Sequence, residues 1–207
     1  MSFQLPKLYA ITDTRISGLS HAYQVRAFCE GGATLIQLRE KCLLPDDFYR
    51  EAKVALDVAR DYDVTVLIND RVDLALAVGA DGVHLGQDDL SPNEARSLLG
   101  PEAIIGLSTH NADQARASIA LPIDYLAIGP IFSTTSKEKP DPVVGLTGIR
   151  EVRKITAGRP LVAIGGITLE TAVDVLAAGA DSVALIGWLL QDSQAISART
   201  RQLLAMT

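Results

Sequence analysis

The sequence predicts one α/β domain over residues 1–207, a single (β/α)8 barrel of the TIM type. Three observations carry this reading. Eight short runs rich in Val, Ile and Leu recur along the chain, and each is followed by a stretch that can form a helix. Eight such units in about 200 residues sit near the minimum size of a closed barrel. A weak repeat also recurs: Gly32-Ala33-Thr34, Gly79-Ala80-Asp81 and Gly179-Ala180-Asp181, with Pro122-Ile123-Asp124 as a looser copy, each entering an even-numbered strand. A doubly wound open sheet shares the alternation of strands and helices. Four two-unit repeats close more naturally into eight strands.

The strands expected, in order, are Leu8–Thr12, Leu35–Leu38, Thr65–Ile68, Gly82–Leu85, Ile104–Leu107, Tyr125–Ile128, Leu161–Ile164 and Ser182–Ile186. Each is a four- or five-residue apolar run, as buried parallel strands require. The helices show apolar residues at three- and four-residue steps, for example Arg50 to Ala59. Glycine in the repeat reads as a helix C-terminus turning into a strand. No linker or low-complexity segment divides the chain. The longest loop, Pro130 to Val144, reads as a mobile active-site loop.

Composition excludes several classes. Hydrophobic residues make up 48% and charged residues 21%, so the chain can bury a core. The net charge of −6 argues against nucleic acid as the main partner. No apolar run reaches the ~18 residues of a membrane span. Met1 to Lys7 lacks an apolar targeting core. Cys29 and Cys42 are too few for a disulfide framework and read as reduced thiols, so a cytoplasmic location is expected.

In barrel enzymes the chemistry lies at the C-terminal ends of the strands. Here those ends are polar. In the second, Gln37, Arg39 and Lys41 share one parity, and two cations on one side suit a phosphate or diphosphate. The alternative pairs them with nearby acids. Asn69 and Asp70 end the third strand, and Asp88 and Asp89 follow the fourth. Two carboxylates beside a basic cradle suit Mg²⁺, and spacing does not choose between Asp88 and Asp89. The competing reading makes these acids helix caps. Gly165-Gly166 and Ile186-Gly187 follow the last two strands, where backbone N–H groups can meet a phosphate. Lys137, on the long loop, can reach either anion site. His84 reads as a packed residue, His21 as a helix-surface residue, and Trp188 as packing for the last helix, while His110 faces the mouth. Cys42 reads as a bystander.

These motifs together resemble thiamine-phosphate synthase along nearly the whole chain. The resembling segments include Leu8-Tyr9-Ala10-Ile11-Thr12-Asp13, Gln37-Leu38-Arg39-Glu40-Lys41, Asn69-Asp70, Gly82-Val83-His84-Leu85-Gly86-Gln87-Asp88-Asp89, Gly129-Pro130-Ile131-Phe132 and Ile164-Gly165-Gly166-Ile167. The resemblance implies a Mg²⁺-dependent transferase that joins 4-amino-2-methyl-5-hydroxymethylpyrimidine diphosphate to thiazole phosphate and releases pyrophosphate. It implies that Arg39, Lys41, Asn69 and Lys137 bind the diphosphate. Asp70 and Asp89 would hold the metal, which selects Asp89 over Asp88. Gln37 and Ser108 would contact the aminopyrimidine, with Ser108 grouped with Arg39, Lys41 and Lys137 in catalysis. Thr134, Ser136, Gly166 and the Ile186-Gly187 backbone would hold the thiazole phosphate. The implied mechanism is dissociative, through a pyrimidine-methyl cation. The partners are small molecules only, and oligomeric state is left open. Two departures stand out: Ser136 replaces the usual Thr, and Gly187 replaces the usual Ser. A related thiazole tautomerase lacks the metal-and-diphosphate set, an aldolase would need a strand lysine, and a binding protein would have lost the metal ligands.

Overall fold

The computed structural model describes residues 4–136, 141–156 and 158–207. Eight parallel strands close into a barrel in chain order, with β8 returning to pair with β1. They are β1 (Leu8–Ile11), β2 (Leu35–Leu38), β3 (Thr65–Asn69), β4 (Gly82–Leu85), β5 (Ile104–Thr109), β6 (Tyr125–Ile128), β7 (Leu161–Ile164) and β8 (Ser182–Leu185). Around them lie α1 (Thr14–Ser17), α2 (His21–Glu30), α3 (Pro45–Arg60), α4 (Val72–Val78), α5 (Pro92–Leu99), α6 (Ala112–Ala117), α7 (Gly145–Thr156), α8 (Leu169–Ala177), α9 (Gly187–Leu190) and α10 (Ile196–Met206). The closed order rules out the open doubly wound sheet. Expected strand ends differ from the observed ones by at most two residues. Among the described residues no helix is long and apolar enough to cross a membrane.

The period of two in each strand divides the core. Tyr9, Ile11, Leu35, Leu67, Tyr125, Ala127, Val162 and Ala184 point into the barrel. Their neighbours, among them Leu8, Ala10, Ile36, Leu38, Ile68 and Val83, face the helices in a larger outer core. Both strand faces are therefore apolar, which is why the strands read as continuous runs.

The repeat before the even strands has a specific job. Asp81 accepts the Val66 N–H at 2.7 Å, Asp124 the Ile105 N–H at 2.7 Å and Asp181 the Leu161 N–H at 2.8 Å. Each carboxylate caps the strand before its own, where the ladder would leave an N–H unpaired. Arginines reinforce two of them. Arg96 binds Asp124 at 2.8 Å, and Arg153 pairs with Asp181 while donating to the carbonyls of Gly179 and Arg159. These clamps hold the end of the barrel opposite the polar mouth.

At the mouth, the long loop is fastened at both ends. Ile131 N–H donates to Ile164 C=O at 2.9 Å, and Val144 N–H to Pro130 C=O at 2.8 Å. Residues 137–140, including Lys137, lie outside the described residues, and with them the middle of the loop expected to be mobile.

Candidate active site

One cavity of about 850 Å³ opens at the C-terminal ends of the strands. Gln37, Arg39, Lys41, Asn69, Asp70, Asp89, Ser108, Thr134, Ser136, Gly166, Ile186 and Gly187 all line it. The barrel thus brings together every described residue of the set expected from sequence.

Arg39 and Lys41 follow β2 on the side facing the cavity. Arg39 pairs with Asp13 and donates from Nη2 to Ser136 C=O at 3.2 Å. The other oxygen of Asp13 caps α1, accepting the N–H of Arg15 at 3.0 Å and of Ile16 at 3.3 Å. Lys41 pairs with Asp70. The cations do pair with acids: Lys41 and Asp70 both line the cavity, while Asp13 holds Arg39 from the buried side.

Glu40, between them, fastens the segment. Its carboxylate accepts from Thr14 Oγ1 at 2.7 Å, from the N–H of Lys41 at 2.8 Å, Cys42 at 2.6 Å and Leu43 at 3.2 Å, and from His21 Nε2 at 3.2 Å. Burial alone would raise its pKa, but the bonds from Thr14, Cys42, Leu43 and His21 outweigh it and hold the group at about 2. His21 corrects the expectation of a helix-surface residue. It begins α2 with no exposed surface, its Nδ1 2.8 Å from Thr12 Oγ1 and its ring 5.4 Å from that of Phe48. Burial depresses its pKa more than Glu40 raises it.

On the acidic edge, Asp70 follows β3 with φ of 62°, a left-handed conformation that Asp tolerates better than most residues. Its N–H donates to His84 C=O at 2.8 Å. Asp89 accepts the Gly86 N–H at 2.7 Å. Burial and the neighbouring Asp70 carboxyl push Asp89 upward, against the Gly86 N–H and the Lys41 ammonium. Neither acid caps a helix: Ser91 and Glu94 cap α5, and α4 begins from Arg71 with no side-chain cap. Asp88 is exposed, while Asp89 turns inward to Asp70.

On the opposite side, Gly165 and Gly166 have φ of 102° and 66°. A Cβ on Gly166 would lie 2.4 Å from Ser133 C=O, so this turn packs too closely for any side chain. Ile186 precedes Gly187 at the start of α9. His84 is buried and hydrogen-bonded, as expected of a packed residue, yet it also lines the cavity. His110 lines the mouth, with Nδ1 2.6 Å from Gly129 C=O. Trp188 packs on α10 with the Arg199 guanidinium 5.5 Å from its ring, and Cys42 is exposed.

The supports Asp13, Glu40 and Tyr125 were not singled out from the sequence. Glu40 stands between the two cations in sequence, and that adjacency was the available signal; Asp13 meets Arg39 only across 26 residues of chain. Tyr125 reads as an ordinary strand aromatic.

The family model described as thiamine monophosphate synthase matches residues 8–189. The chain belongs to the thiamine monophosphate synthase family. A curated thiamine-phosphate synthase of Koribacter versatilis is 48% identical, covering 97% of each chain. One from Methanoregula boonei is 44% identical over 92% of this chain and 88% of its own. The solved thiamine phosphate pyrophosphorylase of Pyrococcus furiosus superposes with a TM-score of 0.86 at 36% identity, covering 97% of this chain and 94% of that one. Membership of this synthase family makes the protein an enzyme, a transferase of thiamine biosynthesis.

Proposed function

We propose that the protein joins 4-amino-2-methyl-5-hydroxymethylpyrimidine diphosphate to thiazole phosphate, giving thiamine phosphate and pyrophosphate. The observation that carries this is one cavity with two different anion-binding edges. Lys41 pairs with Asp70 beside Asp89 on one side, and Arg39 lines the same cavity from the end of β2. The tight glycine turns at Gly165-Gly166 and Ile186-Gly187 lie on the other. Two phosphorylated substrates need both edges, and a single monophosphate needs one.

In this reading Arg39, Lys41, Asn69 and Lys137 bind the diphosphate, and Gln37 and Ser108 orient the aminopyrimidine. Thr134, Ser136, Gly166 and the Ile186-Gly187 backbone hold the thiazole phosphate. Asp70 and Asp89 would hold Mg²⁺. They fit a hard cation: two adjacent carboxylates, one pushed up by the other's charge and by burial, gain from a shared positive ion. Among the described residues no group of three or more His, Cys, Asp or Glu could hold a metal. A Mg²⁺ held by two carboxylates would complete its shell with substrate oxygens and water. When bound, the metal screens charge on the leaving diphosphate. Diphosphate departure leaves a pyrimidine-methyl cation, which the thiazole nitrogen attacks. The chain contributes positioning and electrostatics rather than a nucleophile. Free Cys29 and Cys42 support a cytoplasmic setting.

The test mixes the purified protein with both substrates and Mg²⁺ and follows thiamine phosphate and pyrophosphate by mass spectrometry, with an EDTA control. Metal-dependent appearance of both products is expected. Absence of product with thiazole phosphate still bound would overturn the synthase reading.

A further inference from the structure

Asp13 stands just after β1, buried, and its neighbours fix its carboxylate. Oδ1 caps α1, accepting the N–H of Arg15 at 3.0 Å and of Ile16 at 3.3 Å. Its own N–H donates to Gln24 Oε1 at 2.9 Å, and Gln24 Nε2 donates to Leu19 C=O at 2.8 Å. The Arg15 side chain lies further off, with Nε 3.8 Å from Oδ1. Oδ2 is turned the other way, to Arg39.

A guanidinium carries five N–H donors in one rigid plane. Among the described residues, Arg39 donates from Nη1 to Asp13 Oδ2 and from Nη2 to Ser136 C=O at 3.2 Å. Contacts on two different nitrogens set the orientation of the plane as well as its place. Three N–H groups remain for a ligand in the cavity that Arg39 lines. Ser136 belongs to the opposite edge. Its N–H donates to Thr134 Oγ1 at 3.3 Å, and its Oγ lies 3.6 Å from where a Cβ on Gly187 would stand. Arg39 thus spans the mouth, from the β1–β2 side to the segment that follows β6.

We propose that Asp13 is a positioning residue: by holding Arg39 in one orientation against Ser136 C=O, it ties the two anion edges of the cavity together, so that its loss weakens a diphosphate at Arg39 and a phosphate beside Ser136 at once. The identity of the two ligands rests on the reading under Proposed function; the hold on Arg39 does not. A mere counter-charge would act in the opposite sense. A carboxylate near Arg39 repels any anion there, so neutralising it would tighten anion binding if charge were its whole role. Asp13→Asn separates the two. Asn caps a helix about as well as Asp, so α1 is kept. With its amide oxygen on the Arg15 and Ile16 N–H groups, Asn sets its own N–H donors against those of the guanidinium, and the hold is lost.

Calorimetric titration with inorganic pyrophosphate and, separately, with thiazole phosphate, both with Mg²⁺, compares the native protein, Asp13→Asn, Arg39→Lys and the double variant. Asp13→Asn should weaken pyrophosphate by about 10-fold or more, the cost of a misplaced fork. It should weaken thiazole phosphate by about threefold, through Ser136. Arg39→Lys keeps the charge without the fork. Adding Asp13→Asn to it should weaken pyrophosphate no further, because Asp13 acts through the guanidinium. Unchanged or tighter pyrophosphate binding in Asp13→Asn overturns the proposal, as does an equal further loss in the Lys background. Weakened pyrophosphate with thiazole phosphate unmoved overturns the tie between the edges. A second measurement does not depend on Asp13→Asn folding. In the native protein, ¹⁵N spectra should show separate, slowly rotating Nη groups for Arg39, assigned by their loss in Arg39→Lys, and averaged signals overturn the hold. Failure of the product assay alongside these affinity losses would discard the reaction and leave the positioning role standing. Normal product formation with unshifted affinities would do the reverse.

Discussion

Asp88 and Asp89 are adjacent and chemically identical, yet the fold treats them differently. Asp89 is held by the Gly86 N–H and turned to Asp70, while Asp88 borders the same cavity from a more exposed position. Asp89→Asn should lower kcat/KM with Mg²⁺ by on the order of 100-fold, the cost of losing charge stabilisation on a leaving group. Asp88→Asn should lose less, staying within about threefold of the native enzyme, since its exposed carboxylate at the cavity rim is screened by water. Steady-state kinetics on the two variants decide it, and equal losses would remove the distinction. Gly187 supplies a second residue-scale test. A Cβ there meets nothing closer than Ser136 Oγ at 3.6 Å, and its φ is not in the left-handed region. Gly187→Ser should therefore fold normally and lower KM for thiazole phosphate by about 2- to 10-fold, the worth of one added hydrogen bond. An unchanged or raised KM would show that the backbone alone serves this edge. The departure from the usual Ser was visible in the sequence. The room for it depends on Ser136, which is distant along the chain.

At the scale of elements, β3, β5 and β7 carry a carboxylate clamp at one end of the barrel, and the chemistry lies at the other. The Arg153 guanidinium joins α7 to Asp181 before β8, to Gly179 C=O at 2.7 Å and to Arg159 C=O at 3.0 Å. Arg153→Ala should cost about 2–3 kcal/mol, because it leaves carbonyls and a partly exposed carboxylate without their charged donor. Denaturant unfolding should show a lower midpoint with kcat/KM unchanged, since nothing in this clamp touches the cavity. A loss of activity without a loss of stability would contradict this division. The strands were legible because both of their faces are buried, so apolar runs such as Leu161–Ile164 mark them without ambiguity. The Gly-Ala-Asp repeat was legible as a pattern, but its strand-capping function was not. That function depends on the carboxylate reaching the N–H of a strand some 15 to 20 residues earlier in the sequence. His21 was misread for a related reason: its partners Thr12 and Glu40 lie on other elements and converge on α2 only after the barrel closes.

For the molecule as a whole, this buried polar scaffold sets how stability depends on pH. Burial, the largest influence on His21, holds its folded pKa below the unfolded value near 6.5, and the opposing pull of Glu40, Glu51 and Asp13 does not restore it. Below about pH 6.5 the unfolded chain therefore binds a proton that the folded chain resists, and stability falls as pH falls. Buried His84, with a folded pKa near 4, adds an effect of the same sign. Glu40 acts over a lower range. It is about 2 in the fold against 4.5 unpaired, so its contribution is complete above about pH 4.5 and is lost between 4.5 and 2. For a side chain only 2% exposed, that difference corresponds to roughly 3 kcal/mol. Thermal unfolding should thus give a Tm that is flat from pH 7 to 8, falls below about 6.5, and falls more steeply below 4.5. Glu40→Gln should lower Tm at pH 7 and remove the steep lower portion, because the amide cannot accept the same set of N–H groups with a charge. It should also reduce kcat/KM, since the Lys41, Cys42 and Leu43 backbone that Glu40 fastens carries one of the cavity's cations. A native Tm indifferent to pH between 7 and 5, or a Glu40→Gln variant matching the native profile, would show that this network does not hold the basic edge of the cavity in place.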